Sequence, residues 1–180
     1  ANTAVTDVGM QSVGKLKKLE VLDLSGCTIS DTGISALLGL QSLDHLVLNE
    51  TNITDAGCKG IAKIASLTKI FLNTTSITDA GVAELAKLTK LQRLGVGDTQ
   101  VSNAGLQHLT QLQSLEVLGV GDTKVSNSGL KYLEQLPQLK TLELTNSSVS
   151  SKFGRLWTSR SKIEEMLKEA RNPPKTSVAT

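Results

Sequence analysis

Aromatic residues make up 2% of the chain, and they are Phe71, Tyr132, Phe153 and Trp157. A core built from 180 residues therefore has to be aliphatic, and the abundant Leu, Ile and Val supply it. No apolar run approaches the ~20 residues of a membrane-spanning helix, so no membrane span is expected. No secretory apolar stretch opens the sequence. The balance of 19 Lys and Arg against 17 Asp and Glu leaves a charge of +2. That near-neutrality gives no ground for a nucleic-acid or membrane partner.

Histidine and cysteine are nearly missing as well. With His45 and His108 as the only histidines and Cys27 and Cys58 as the only cysteines, metal-binding spacings are absent. No zinc or other cofactor is expected. The cysteines occupy different places in the repeat described next, which argues against a disulfide between them. Free thiols favour an intracellular location over a secreted one. Four N-x-S/T sequons, at Asn49, Asn52, Asn73 and Asn146, point the other way. A repeating Asn and Thr pattern also generates such triplets by chance.

What the chain has in quantity is periodicity. The hexapeptide LGVGDT occurs at Leu94 to Thr99 and again, 24 positions on, at Leu118 to Thr123. Stepping by 24 residues aligns whole columns. One runs Leu22, Leu46, Ile70, Leu94, Leu118, Leu142, and a second Leu24, Leu48, Leu72, Val96, Val120, Leu144. A polar column holds Cys27, Thr51, Thr75, Thr99 and Thr123. Asp7, Asp31, Asp55, Asp79, Asn103 and Asn127 are each followed two residues later by Gly9, Gly33, Gly57, Gly81, Gly105 and Gly129. The unit reads L-x-x-L-x-L-x-x-T-x-I-[ST]-[DN]-x-G-L-x-x-L-x-x-L over residues 3 to 150.

Within each unit the L-x-L core alternates as a short strand. The Thr column turns the chain inward, where a hydroxyl can bond a turn carbonyl. The [ST]-[DN] pair fits a helix N-cap, and Val82, Leu85 and Leu88 form the stripe of a short helix. The glycine in the first helical turn costs helix propensity, so a close backbone approach between units is expected there. One unit cannot bury its own apolar face, but a stack of them can. The unit resembles a leucine-rich repeat, nearest to the cysteine-containing subtype of F-box substrate receptors, with Thr replacing Cys in all units but one. The resemblance implies an α/β leucine-rich repeat solenoid of period 24, curved and right-handed. Parallel strands would line its concave face and short helices its convex face.

The ends depart from the pattern. Ala1-Asn2-Thr3 matches the end of a strand, so the chain opens in mid-repeat, and the N-terminal end is expected to be covered by upstream repeats or another chain. At the other end, Phe153 replaces the column glycine, and Phe153, Leu156 and Trp157 can cover the last unit. Ser161-x-x-Glu164 reads as a capping box ahead of Ile163, Met166, Leu167 and Ala170. The division expected is residues 1–150 as about six repeats, 151–171 as a capping segment with a helix over 161–171, and 172–180 as a flexible tail. The segment from residue 148 on carries seven Lys and Arg against three Asp and Glu. A solvated cap helix is the plainer account of that charge, and contact with an acidic partner the other.

Catalysis finds little support. His45 stands one strand from Asp23 and Ser25, the parts of a triad by composition alone, without a pocket or oxyanion donors. LGVGDT lacks the third glycine, the Lys and the immediately following helix of a nucleotide loop. No enzyme activity is expected. The outward strand columns instead describe a binding surface. His45, Lys69 and Arg93 form a basic line beside Val47, Phe71 and Val117. Gly95, Gly97, Gly119 and Gly121 then leave a patch almost free of side chains, bordered by Asp98 and Asp122. Glycine weakens a strand, and two explanations stand side by side: close approach by a partner, or drift between duplicated units. An exposed aromatic beside cations suits a binding hot spot. The expected function is a non-catalytic module binding a protein or peptide on the concave face through these ten residues. The alternatives are a structural subunit of a larger assembly, or the recognition domain of a ubiquitin-ligase-type or effector protein whose catalytic part lies elsewhere.

Overall fold

The computed structural model describes residues 4–147, 149, 156–157 and 159–171. Six three-residue strands line up in sequence order: β1 Val21–Asp23, β2 His45–Val47, β3 Lys69–Phe71, β4 Arg93–Gly95, β5 Val117–Gly119 and β6 Thr141–Glu143. All five pairs are parallel, and every register step is one repeat, as in Leu22↔Leu46 and Ile70↔Leu94. Between strands run the helices α1 Asp7–Val13, α2 Asp31–Ile34, α3 Asp55–Ile61, α4 Asp79–Leu85 and α5 Asn103–Leu109. The chain is thus an α/β leucine-rich repeat solenoid. Its core is the stack of Leu, Ile and Val columns, with Leu46, Ile70, Leu94, Leu118 and Leu142 all fully buried.

Each strand ends in a turn whose geometry the columns explain. The residue at Gly26, Glu50, Thr74, Asp98, Asp122 or Asn146 has φ between 50° and 68°. Most side chains avoid this left-handed region, while Gly, Asn and Asp tolerate it. From Gly26 to Asp122 the turn amide donates to the next turn, as from Thr74 N to Gly97 O at 2.9 Å. Behind it the buried Thr hydroxyls of Thr51, Thr75, Thr99 and Thr123 each donate to the carbonyl three residues back, all at 2.6 Å. Those bonds satisfy carbonyls that would otherwise lie unpaired in the interior. Cys27 in the same column contacts a different carbonyl, two residues back, with Sγ 3.9 Å from Ser25 O.

The N-caps lie where the Ser/Thr-Asp pairs place them. Ser30, Thr54, Thr78 and Ser102 accept from the backbone N–H two residues on. The expected close backbone approach at the glycine column is corrected by the structure. From Gly33 to Gly129, what approaches each column glycine is the carboxylate or amide of the preceding unit, whereas Gly9 meets only Val5. A Cβ on Gly81 would lie 2.5 Å from Asp55 Oδ1, and one on Gly105 2.6 Å from Asp79 Oδ1.

Those acidic side chains form a ladder from unit to unit. Asp55 Oδ1 accepts from Thr78 N (2.8 Å) and Gly81 N (2.9 Å), and Oδ2 from Thr78 Oγ1 (2.7 Å). Asp79 repeats the set with Ser102 and Gly105. Asp7 and Asp31 hold Ser30 and Thr54 in the same way. Asn103 reproduces it in part, accepting from Ser126 N at 2.9 Å and donating to Ser126 Oγ at 2.8 Å. Two units carry 3₁₀ turns: one shortens its α-helix to α2 and continues it as 3₁₀ over Ser35–Gly39, and the other is 3₁₀ throughout, over Asn127–Gln135. In both, the column glycine donates to the N-cap carbonyl three residues before it, Gly33 N to Ser30 O and Gly129 N to Ser126 O, which is the 3₁₀ bond.

The last sheet edge is closed by β7, Leu156–Trp157, antiparallel to β6. Helix α6, Arg160–Arg171, then lies against the Asn127–Gln135 segment and seats Ile163, Met166 and Leu167 in the core. The expected capping box at Ser161 is not formed. Ser159 precedes the helix and accepts from Lys162 N at 3.4 Å, while Glu164 pairs with Arg160 Nε at 2.8 Å. Phe153 and residues 172–180 lie outside the described residues.

Candidate functional site

The strand alternation puts His45, Val47, Lys69, Phe71, Arg93 and Val117 on the solvent side of the sheet, with Leu46, Ile70, Leu94 and Leu118 beneath them. Register sets Lys69 beside Arg93, Phe71 beside Gly95, and Gly95 beside Gly119. The predicted line of residues is therefore one continuous surface.

Its charge is narrower than the columns suggest. Lys69 Nζ lies 3.2 Å from Asp44 Oδ2, and Thr68 Oγ1 donates to the other oxygen. The Thr68 hydrogen bond, followed by Lys69, holds the Asp44 carboxyl below the usual carboxylate range. Arg93 is exposed and has no hydrogen-bond or ion-pair partner among the described residues. Arg93 is thus the cation free to pair with a ligand.

Phe71 and the glycines belong to one arrangement. The Phe71 ring meets His45 at 5.5 Å between centroids, and a Cβ on Gly95 would lie 2.7 Å from Phe71 Cδ1. The ring therefore fills the space that a side chain at position 95 would need, and Phe71 is half-buried as a result. At the far side, Glu143 reaches back over β5. A Cβ on Gly119 would lie 3.4 Å from Glu143 Oε2, and Gly121 faces the same carboxylate. Glu143 also accepts from Thr145 N at 3.0 Å. An asparagine ladder pins the floor between: Asn49 Oδ1 accepts from Asn73 N and Nδ2, both at 2.9 Å, and Asn73 Oδ1 accepts from Gly97 N at 2.7 Å. Gly97 faces Gly121 O at 3.1 Å and Asn73 Oδ1 at 3.2 Å from its Cβ position. These glycines make room for neighbouring side chains of the chain itself. Glu143, Asn49 and Asn73 were missed in sequence, although their columns were visible; nothing in a column says that Glu143 folds back.

The other candidates for chemistry separate. Ser25 donates its hydroxyl to Asp23 at 2.7 Å, and its amide donates to the same oxygen at 2.9 Å. These bonds hold the Asp23 carboxyl low. A nucleophilic serine would instead donate to the histidine. His45 Nε2 is buried without a partner, and His108 lies on α5, across the repeat from the sheet. Among the described residues no three His, Cys, Asp or Glu side chains converge as a metal site, and no helix is long and apolar enough to cross a membrane. A cleft of about 470 Å³ between α6 and the Asn127–Gln135 segment is lined by Glu134, Arg160, Glu164, Leu167, Lys168 and Arg171. Its arginines are paired internally, Arg171 with Glu134 and Arg160 with Glu164.

Cys58 is buried, and burial, followed by the Asp55 and Asp31 carboxylates, pushes its thiol up to about 12. The thiolate is the reactive form. The native chain is therefore expected to leave Cys58 unalkylated by iodoacetamide at about pH 8, and to modify it only after unfolding in urea. Mass-spectrometric mapping of both samples checks this, and equal labelling overturns it. Because the folded thiol holds its proton more tightly, its contribution to stability is whole below 9.0 and is lost as pH rises towards about 12.

Comparison with known proteins agrees with the repeat. The family description "leucine-rich repeat region" matches residues 3–169. No curated protein sequence matches the chain. Among solved structures, an internalin C2 from Listeria monocytogenes is similar at 32% identity and a TM-score of 0.63, over 83% of this chain and 70% of that one. An internalin (inlF) from the same organism is similar at 25% identity and a TM-score of 0.58, over 78% of this chain and 45% of that one. This chain thus spans less than half the length of the second relative. With its 24-residue register realised in every parallel strand pair and the family match running over nearly its whole length, the chain belongs to the leucine-rich repeat family.

Proposed function

We propose that the chain is a non-catalytic interaction module that binds a protein or peptide on the open face of its sheet. The observation that carries the reading is the cluster at β2 to β4. An aromatic ring, tilted at 51° to His45 and filling the space over Gly95, adjoins an unpaired guanidinium. Aromatic and arginine side chains recur in binding hot spots, the ring through a large contact with few rotatable bonds and the guanidinium through a planar fork of donors. Of the four glycines Gly119 alone is partly exposed, between Phe71 and Glu143, and a partner segment crossing there meets Arg93 at one end and a carboxylate at the other. The subtype reading, with Cys27 as the surviving member of a cysteine column, is supported by Cys27 taking the same turn position as Thr51. The recognition arm of a larger effector remains the companion proposal.

The test is affinity capture with three baits: the native chain, the Phe71→Ala/Arg93→Glu double variant, and a Lys59→Glu variant on the opposite, helical side. Partners retained by the native and Lys59→Glu baits are expected to fall at least about tenfold on the double variant, as for loss of two hot-spot residues. Full retention on the double variant, with its fold intact by circular dichroism, would sink the proposal.

A further inference from the structure

Away from the sheet, the cleft of about 470 Å³ between α6 and the Asn127–Gln135 segment runs on past the Arg171–Glu134 pair. There it joins a second cleft, of about 320 Å³, that reaches Asn127, Ser128 and Lys131. Glu134, Leu167 and Arg171 line both, so the two form one groove. Its walls follow from helical spacing. On α6, Arg160, Glu164, Lys168 and Arg171 recur at intervals of four, four and three, which places them on one stripe. Ile163, Met166 and Leu167 occupy the neighbouring stripe and are buried in the core. On the facing segment, Lys131 and Glu134 are three residues apart, one turn of 3₁₀.

The charges along this groove do not cancel. Lys131, Arg160, Lys168 and Arg171 stand against two carboxylates, Glu134 and Glu164. Both carboxylates are engaged. Glu134 accepts from Arg171 Nε at 2.6 Å and, with its other oxygen, from Arg171 Nη2. Glu164 Oε1 accepts from Arg160 Nε at 2.8 Å, while Arg160 Nη1 donates to Leu136 O at 2.6 Å and so fixes that guanidinium. The Lys168 ammonium has no acceptor among the described residues, and the Lys131 ammonium meets only the Tyr132 ring, 5.0 Å from its centroid. Arg160 Nη2 and Arg171 Nη1 make no bond among the described residues either. Held guanidinium forks flanked by ammonium groups are the donors that recognise carboxylates. We propose that this groove binds an acidic segment of a partner protein in extended form, with its carboxylates on Lys131 and Lys168. From Arg160 to Arg171 the α6 wall is about 16 Å long at ~1.5 Å per residue, and an extended chain covers that with about five residues. The cations are spread along the whole groove, Lys168 in one cleft and Lys131 in the other. That spread suits several carboxylates in a row better than a single phosphate. Binding here is independent of what the open sheet face binds.

The experiment is a fluorescence-anisotropy titration of a fluorescein-labelled hexa-aspartate peptide with the full chain. It is run at about 0.1 M salt, where exposed charges more than ~10 Å apart are screened. The native chain is expected to bind this peptide saturably and to leave a hexa-asparagine peptide unbound. Lys131→Glu/Lys168→Glu is expected to weaken binding about tenfold or more, because each reversal turns an attractive contact into a repulsive one. Lys59→Glu/Lys90→Glu makes the same change of net charge at exposed positions elsewhere and is expected to shift affinity by less than about threefold. The Phe71→Ala/Arg93→Glu variant is expected to bind as the native chain does. Circular dichroism checks that each variant is folded. Equal weakening by the two lysine pairs reduces the effect to net charge and overturns the proposal. Loss of the peptide on Phe71→Ala/Arg93→Glu, with Lys131→Glu/Lys168→Glu unaffected, also overturns it and moves the acidic ligand to the sheet face. So does inorganic phosphate displacing the peptide at equal concentration, which would make the groove a single-anion site.

Discussion

Asp55→Ala is expected to destabilise the chain by about 2–4 kcal/mol, an effect shared in the repeats by Asp79→Ala, whose carboxylate accepts the same set of bonds. Asp55 Oδ1 and Oδ2 together accept three hydrogen bonds, from Thr78 N, Thr78 Oγ1 and Gly81 N. Bonds to a charged acceptor are worth about 1.5–3 kcal/mol each where water is excluded, and the half-buried position of Asp55 brings their sum down. The effect is not confined to one contact. The N-cap hydroxyl of Thr78 also accepts from Ala80 N at 3.2 Å, so removal of the carboxylate loosens the start of α4 and the seam between two units. Asp55→Asn should cost less, because Asn103 already performs part of the task for Ser126 in this chain. Glu84→Ala serves as the control, since Glu84 lies on α4 and its carboxylate takes a single surface bond, from Lys87 Nζ at 2.7 Å. Urea melts of the four proteins check the order. Equal midpoints for Asp55→Ala and Glu84→Ala would remove the ladder from any account of stability.

The solenoid was legible because one physical rule repeats. Leu at a fixed spacing of 24 residues must face the same core in every unit, so Leu46, Ile70 and Leu94 lie under the strands where the columns put them. The Thr column was legible for a similar reason, since a small hydroxyl recurring in an apolar setting requires a carbonyl partner. The aspartate column was read as part of its own helix start. Its partners belong to the next unit, 23 residues later for Thr78 and 26 for Gly81. The signal was there in the joint recurrence of Ser/Thr, Asp and Gly, but pattern within a unit cannot say which unit a carboxylate bonds. The left-handed turn was also encoded, by Gly26, Asp98, Asp122 and Asn146 sharing a column, although Thr74 and Glu50 obscure it.

The sheet face was legible as a list of residues and illegible as a shape. Alternation puts Phe71, Arg93 and the four glycines on one side. Whether Phe71 stands up from the sheet or lies across Gly95 is a matter of rotamer, set by His45 behind it and the space ahead. Likewise Glu143 folds towards Gly121 because Thr145 N is there to receive it. The helix α6 shows the same limit at an element end. Ser159 and Ser161 are both acceptable caps by type, and burial of Ile163, Met166 and Leu167 selects the earlier one.

The column glycine offers the second large effect, and it is coupled to the first. Gly81→Ala is expected to cost about 2–3 kcal/mol despite the gain of about 1 kcal/mol that Ala normally brings to a helix. The added methyl would lie 2.5 Å from Asp55 Oδ1 and 3.1 Å from Cys58 Sγ, so the carboxylate and the thiol both have to yield, while Asp55 Cα at 3.4 Å is in ordinary contact. Gly9→Ala, with no aspartate in its seat, is expected to be neutral or to stabilise by up to about 1 kcal/mol. Because the main collision is with Asp55 itself, the two sites should not be additive. Once Asp55→Ala has emptied the seat, Gly81→Ala meets Cys58 Sγ at 3.1 Å and only an ordinary contact, at 3.4 Å, with the Cα of residue 55. A double-mutant cycle is then expected to give a coupling of about 1–2 kcal/mol, the double variant being more stable than the sum of the singles implies. Thermal or urea unfolding of the wild type, the two singles and the double variant measures it. Additive behaviour would mean that the glycine is required by the helix backbone alone. Coupling would mean that Gly and Asp are one device, a carboxylate and the cavity made for it, which welds each unit to the next.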